Sequence, residues 1–191
     1  LNSGRGENTA CTTDFFIPVS QKVTGTLNNY NLETVNMISK DDLLGAWQLE
    51  SWTIGYSDRD DFSYPYGEDP QGLLMYTSDG WMSASISRRR RDVFPEDVNF
   101  RKLPDELKAA AFSSYFHYAG RFQEVEGDVI HYVSQSLNPN FPGSEQLRHA
   151  ELDGQTLVLS GKDQVGEVTR FHSLVWHKAP PVEDGAVIDS K

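Results

Sequence analysis

Cysteine is almost absent: Cys11 is the one thiol in 191 residues. No disulfide can form within the chain, and a cysteine-rich zinc site is excluded. A reducing, cytoplasmic compartment fits this composition. Positive charge is also scarce. Seventeen Lys and Arg stand against 28 Asp and Glu, a formal net charge of -11. Such a chain repels phosphate backbones, so nucleic acid is not an expected partner. No apolar run approaches the roughly 18 residues of a membrane span, and no membrane partner is expected. Residues 1–36 lack the charged-then-apolar order of a secretory leader, and no Asn-x-Ser/Thr sequon occurs. Hydrolase nucleophile elbows, phosphate loops and dinucleotide fingerprints are missing. Neither His-x-His nor His-x-x-x-His spacing occurs, so no metal site and no cofactor are expected.

What is present is a globular composition. Aromatics make up 12% of the chain, too many for a disordered one. Residues 1–36 are rich in Asn, Thr, Ser and Gly and read as an appendage, native or non-native. The alternative is an arm that pairs with the main domain or with a second subunit, as in a homodimer. Met37 then reads as a natural start, running into a short helix with Ser39 as its N-cap. The tail from 179 to 191 is Pro-rich and acidic, and reads as frayed.

Between these ends the pattern has mostly period two, with turn signals between short runs. Ala46–Tyr56 reads as a strand and Asp58–Pro70 as a long loop. Hairpins are predicted around Asp79-Gly80, Glu126-Gly127-Asp128 and Asp153-Gly154. Glu167–Trp176 closes the series. One helix is predicted from Pro104 to Gly120, with Leu107, Ala111, Tyr115 and Tyr118 at helical spacing. About eight sequential antiparallel strands with one inserted α-helix predict an all-β, up-and-down barrel. A sandwich is the second choice.

The first strand opens with Gly45-Ala46-Trp47, a Gly-x-Trp. It is followed in order by Tyr64-Pro65-Tyr66-Gly67, Thr77-Ser78-Asp79-Gly80-Trp81, Tyr115-Phe116-His117-Tyr118 and His131. Asn138-Pro139-Asn140-Phe141-Pro142-Gly143, Arg148 and Leu174-Val175-Trp176 come after. This series resembles the lipocalin-like domain family over roughly residues 41–178. The resemblance implies a small closed barrel with an apolar cavity and no assigned reaction. Related barrels include carriers of small apolar molecules, and isomerases or cyclases of natural-product pathways.

An eight-stranded barrel can hold one small ligand. His131, on a face with Val129, Val133, Gln135 and Leu137, is the candidate proton carrier. Arg148, alternating with Gln146, Ala150 and Leu152, would hold a carboxylate or a developing enolate oxygen. Tyr118 would assist it, while Tyr76, Tyr115 and Tyr132 are expected at the mouth, presenting phenols to a carbonyl. The face of Arg170, His172, Leu174 and Trp176 is expected to point inward, with His172 as a second histidine of the site. Trp47 also points in, most simply as a plug at the closed end, with Arg148 or Arg170 packed over its indole. For several of these residues ordinary packing is the competing reading. Arg88–Arg91 form the only basic cluster, read as a solvated loop beside Asp58–Asp61 or as a capture site for an acidic partner.

Two functions follow from these residues. The first is a cofactor-free isomerase or cyclase acting on a small, mostly apolar molecule with a carbonyl or acid. The second is a carrier or sensor of such a molecule, in which the same polar groups only orient it.

Overall fold

The computed structural model describes residues 38–181. The expectations for residues 1–36, and for the tail beyond 181, lie outside the described residues. A one-turn helix, α1 (Lys40–Leu43), leads into the barrel. Ser39 caps it as expected, and Asp42 answers with a bond to the Ser39 N–H at 2.9 Å. This reciprocal pairing satisfies donors that the first turn leaves free.

Nine strands follow: β1 (Gly45–Tyr56), β2 (Arg59–Ser63), β3 (Pro70–Tyr76), β4 (Trp81–Arg88), β5 (Tyr115–Val125), β6 (Asp128–Ser136), β7 (Glu145–Asp153), β8 (Thr156–Val165) and β9 (Val168–Lys178). They form one antiparallel sheet in the order β2-β1-β3-β4-β5-β6-β7-β8-β9, and β1 also pairs with β9. Eight strands thus close a barrel, the all-β fold expected, which leaves no unpaired edge around most of its circumference. The ninth, β2, is an addition. It folds back on the far end of β1, with Ile54 opposite Ser63, where the acidic composition of Asp58–Pro70 had suggested only loop.

The helix is shorter than predicted. α2 spans Asp105–Ser113, and Tyr115–Gly120 belong to β5, paired with β4. The aromatic run Tyr-Phe-His-Tyr favours a pleated surface, and the ladder to β4 overrides the helical spacing. Tyr115 and Tyr118 therefore face opposite sides of a sheet rather than sharing a helix face.

Two bulges decide which residues face inward. On β1 the register shifts between Leu49 and Ser51, so Glu50 is the extra residue. Trp47 and Leu49 point in before it, and Trp52 and Ile54 after it. On β6 the register shifts opposite Ala119 and Gly120. Val129, His131 and Val133 face in, but Gln135 turns out. Gly120 makes the second bulge possible: a Cβ there would lie 1.9 Å from the Tyr132 carbonyl oxygen.

The two ends differ. One is closed by α1 and by Trp47, which is fully buried and donates its indole N–H to the Leu43 carbonyl at 2.8 Å. Lys178, rather than an arginine, packs over the indole, with its ammonium 4.2 Å from the ring centroid. The other end carries the connections β2–β3, β4–β5 and β6–β7. Arg89 there pairs with Asp69, while Arg59 pairs with Asp58 and Asp61. Among the described residues no ion pair joins the basic cluster to the Asp58–Asp61 segment. No helix among the described residues is long and apolar enough to cross a membrane.

Candidate functional site

A cavity of about 290 Å³ occupies the open end of the barrel. That is near the small limit of ligand cavities, which run from roughly 300 to 1,000 Å³. Its walls divide by strand. β1, β5 and the loops beside them contribute Trp52, Tyr66, Phe116 and Phe141. Trp52 stacks on Tyr66 with centroids 5.3 Å apart, and Phe116 meets Phe141 edge to face at 5.7 Å. The neighbouring strands β7, β8 and β9 contribute Arg148, Asp163, Arg170 and His172. Tyr118 and Trp176 lie deeper.

Four of the nine residues singled out from the sequence line this cavity: Tyr118, Arg148, His172 and Trp176. The other five do not. Trp47 plugs the closed end. Tyr132 is on the outer face, bonded to Gln123 at 3.3 Å. Tyr115 is also on the outer face, where it bonds Ser85 at 3.1 Å and stacks with His117. Tyr76 is buried in the core rather than at the mouth. His131 faces inward but lies below the cavity, with none of its surface exposed.

His131 is held by two phenols. The Tyr76 hydroxyl is 2.7 Å from Nε2 and the Tyr118 hydroxyl 2.9 Å from Nδ1. Burial, helped by the nearby Arg148 charge, pushes the imidazole down to about 3. A neutral ring with both nitrogens engaged cannot take a proton from a ligand it does not touch. Burial also raises the Tyr118 phenol, against the attraction of Arg148 at its oxygen.

Arg148 donates to the Leu147 carbonyl at 2.8 Å and to Gln146 Oε1 at 3.3 Å. No carboxylate pairs with it among the described residues. Its guanidinium crosses β8 at Gly161, where a Cβ would sit 2.9 Å from Nη1. The Trp176 indole nitrogen is buried and has no hydrogen-bond partner among the described residues. Such a group is costly unless something accepts from it.

At the mouth, Asp163 binds Arg170 through two bonds and His172 Nε2 at 3.3 Å. Trp52 donates to His172 Nδ1 at 3.2 Å. An indole can only donate, so His172 Nδ1 is the acceptor and Nε2 carries the hydrogen. Burial lowers the His172 pKa, opposed by Asp163; burial would raise the Asp163 carboxyl, but the hydrogen bonds from Arg170 and His172 hold it below its usual range. Asp163, which sequence reading gave no role, and Arg170, which it offered as a cation over Trp47, complete a mouth network. Trp52 was hidden for a physical reason: period two alone places it opposite Trp47, and only the bulge at Glu50 turns it in. No cluster of metal-binding side chains occurs among the described residues.

A closed eight-stranded antiparallel barrel with an aromatic-walled cavity at one end is a lipocalin-type barrel, an architecture suited to a small hydrophobic ligand. The model of the lipocalin-like domain matches residues 44–179, and the chain belongs to that family. A search of curated proteins gives no match.

Proposed function

We propose that the barrel binds a small, mostly apolar molecule bearing a carbonyl or carboxylate oxygen, and that it acts as a carrier or sensor. The observation that carries this reading is a guanidinium, Arg148, that lines the cavity with no carboxylate partner among the described residues, beside the Trp176 indole, whose buried N–H has no partner among them either. Both line one cavity, and both only donate. The aromatic wall supplies the complementary apolar surface. Binding without chemistry is favoured because neither inward histidine has a free nitrogen.

A second reading, a cofactor-free isomerase or cyclase, is favoured by one feature. Tyr118, His131 and Tyr76 form a continuous hydrogen-bonded chain from the cavity into the core. With Arg148 holding an enolate oxygen, that chain would make Tyr118 the proton donor. Mass spectrometry separates the two readings. A metabolite extract of the source organism is incubated with the protein, and the bound fraction is analysed separately. Recovery of a depleted compound unchanged from the protein supports the carrier. A new species isobaric with the depleted one, or lighter by one water, overturns it in favour of the enzyme.

A further inference from the structure

We propose that Tyr76, which does not touch the cavity, sets the hydrogen-bond polarity of the ligand site. It donates to His131 Nε2, fixes the imidazole as the Nδ1–H tautomer, and leaves the Tyr118 hydroxyl to donate into the cavity. The inference deepens the binding reading above and rests on it for the identity of the ligand group.

The argument is a count of hydrogens. Tyr76, His131 and Tyr118 are all neutral, since burial drives both phenols up and the imidazole down. They hold three mobile hydrogens: one on each phenol and one on the ring. Two hydrogen bonds join them, at 2.7 and 2.9 Å. One hydrogen is therefore left over, and it belongs to one of the two phenols.

The two phenols differ in where that hydrogen would go. If Tyr118 donates to Nδ1, then Nε2–H donates to Tyr76, and the spare hydrogen lies on Tyr76. That hydroxyl is sealed in the core, its ring packed 4.6 Å from Phe122. Among the described residues it has no second acceptor. A buried donor without an acceptor is disfavoured. If Tyr76 donates to Nε2 instead, Nδ1–H donates to Tyr118, and the spare hydrogen lies on Tyr118. That residue lines the cavity. Its protein neighbour there, Arg148, is a donor and cannot take the hydrogen. The second arrangement leaves neither Tyr76 nor His131 with an unmet donor.

The consequence for the ligand is specific. Tyr118 O–H and Arg148 then both present hydrogens to one cavity, with the Trp176 ring in its wall. The acceptors in the same wall are already engaged: Gln146 Oε1 by Arg148, Asn138 Oδ1 by the Asn140 N–H, and the Asp163 carboxylate by Arg170 and His172. The group recognised must accept without donating. A carboxylate, an enolate or a ketone oxygen meets this condition, and an ammonium group does not. His131 is a positioning residue here: it transmits the choice made by Tyr76 to Tyr118.

Two measurements on the whole chain test this. Ring ¹⁵N shifts of labelled histidine report which nitrogen carries hydrogen, with His131 assigned by its loss in His131→Gln. The wild type is expected to show a protonated Nδ1 and a bare Nε2, and Tyr76→Phe to release that preference. Equilibrium dialysis then gives affinities for 1-naphthoate and 1-ethylnaphthalene. Tyr76→Phe is expected to weaken 1-naphthoate roughly tenfold, the worth of one charge-assisted hydrogen bond, and to leave 1-ethylnaphthalene unchanged. Tyr118→Phe removes the same donor from the cavity side and should match it, which serves if Tyr76→Phe does not fold. A protonated Nε2 in the wild type, or equal weakening of both probes, overturns the proposal. If neither probe binds the wild type, the reading of the cavity as a binding site fails, and the nitrogen shifts still decide the tautomer lock.

Discussion

Lys178 lies over the ring of Trp47, its ammonium 4.2 Å from the centroid, while also donating to the carbonyls of Leu44 at 2.5 Å and Asp42 at 3.4 Å. The last residue of β9 is thereby tied to the start of β1 and to the carbonyl end of α1. The charge sits where the helix carbonyls favour a cation, and it covers the plug that closes the barrel. Trp47→Ala removes the plug and leaves a cavity, with an expected loss of roughly 3–5 kcal/mol in stability. Lys178→Met keeps the stem and loses only the charge, with an expected loss of about 1 kcal/mol. Urea unfolding of both variants checks the ratio.

The pH dependence of stability follows from His131. In the unfolded chain it takes up a proton near its ordinary value of 6.5; in the barrel it does so only near 3. Between these values the unfolded state binds more protons, so stability falls as pH drops from about 6.5 toward 3. The expected loss at the acid limit is roughly 5 kcal/mol for this group. His131→Gln, which cannot titrate, should show a flatter decline than the wild type in urea midpoints measured across that range. Parallel declines would mean that other groups govern acid unfolding.

Arg148 should matter for the ligand's oxygen and little for its body. Arg148→Met is expected to weaken 1-naphthoate by roughly 10- to 100-fold, the worth of a buried charge-assisted contact. Binding of 1-ethylnaphthalene should stay within about twofold. Dialysis of the two probes against the variant reads both quantities.

Gly161 should act on the same probe through Arg148. A Cβ at that position would stand 2.9 Å from Nη1 and 3.3 Å from the Leu147 carbonyl oxygen. The guanidinium can shift and the backbone cannot, so Gly161→Ala displaces the charge. A weaker 1-naphthoate affinity with a nearly unchanged melting temperature is the expected result. Gly120→Ala offers the contrast: its Cβ would overlap the Tyr132 carbonyl oxygen at 1.9 Å, and the variant should fail to fold stably.

Much of the fold was legible in the sequence because hairpin turns and alternation are local signals. Asp79-Gly80, Glu126-Gly127 and Asp153-Gly154 each announce a reversal, and each lies where a strand pair turns. The helix end was misread because Tyr115 and Tyr118 satisfy a helical spacing that the ladder to β4 overrides. The site was legible only in pieces. His131, Arg148 and His172 sit on strands whose alternation is visible, but depth along the barrel is not: the sequence cannot say that His131 lies beneath the cavity and His172 at its mouth. Parity fails past a bulge, which hid Trp52 on β1 and wrongly included Gln135 on β6. The network of Asp163 and Arg170 joins β8 to β9 across a register that no single strand reveals.

The ladder between β1 and β3 covers only Gly45–Gln48 and Leu73–Tyr76, and β2 rejoins β1 only at Ile54. Between these limits no strand among the described residues pairs with one edge of β1, while its other edge stays paired to β9 along nearly its whole length. The wall is therefore uneven in how it resists opening. Parting it along this seam breaks no ladder bonds, whereas parting it anywhere along β8 and β9 breaks a run of them. Amide hydrogen exchange should follow that asymmetry, with fast exchange for the β1 amides that face the seam and global protection on β8 and β9.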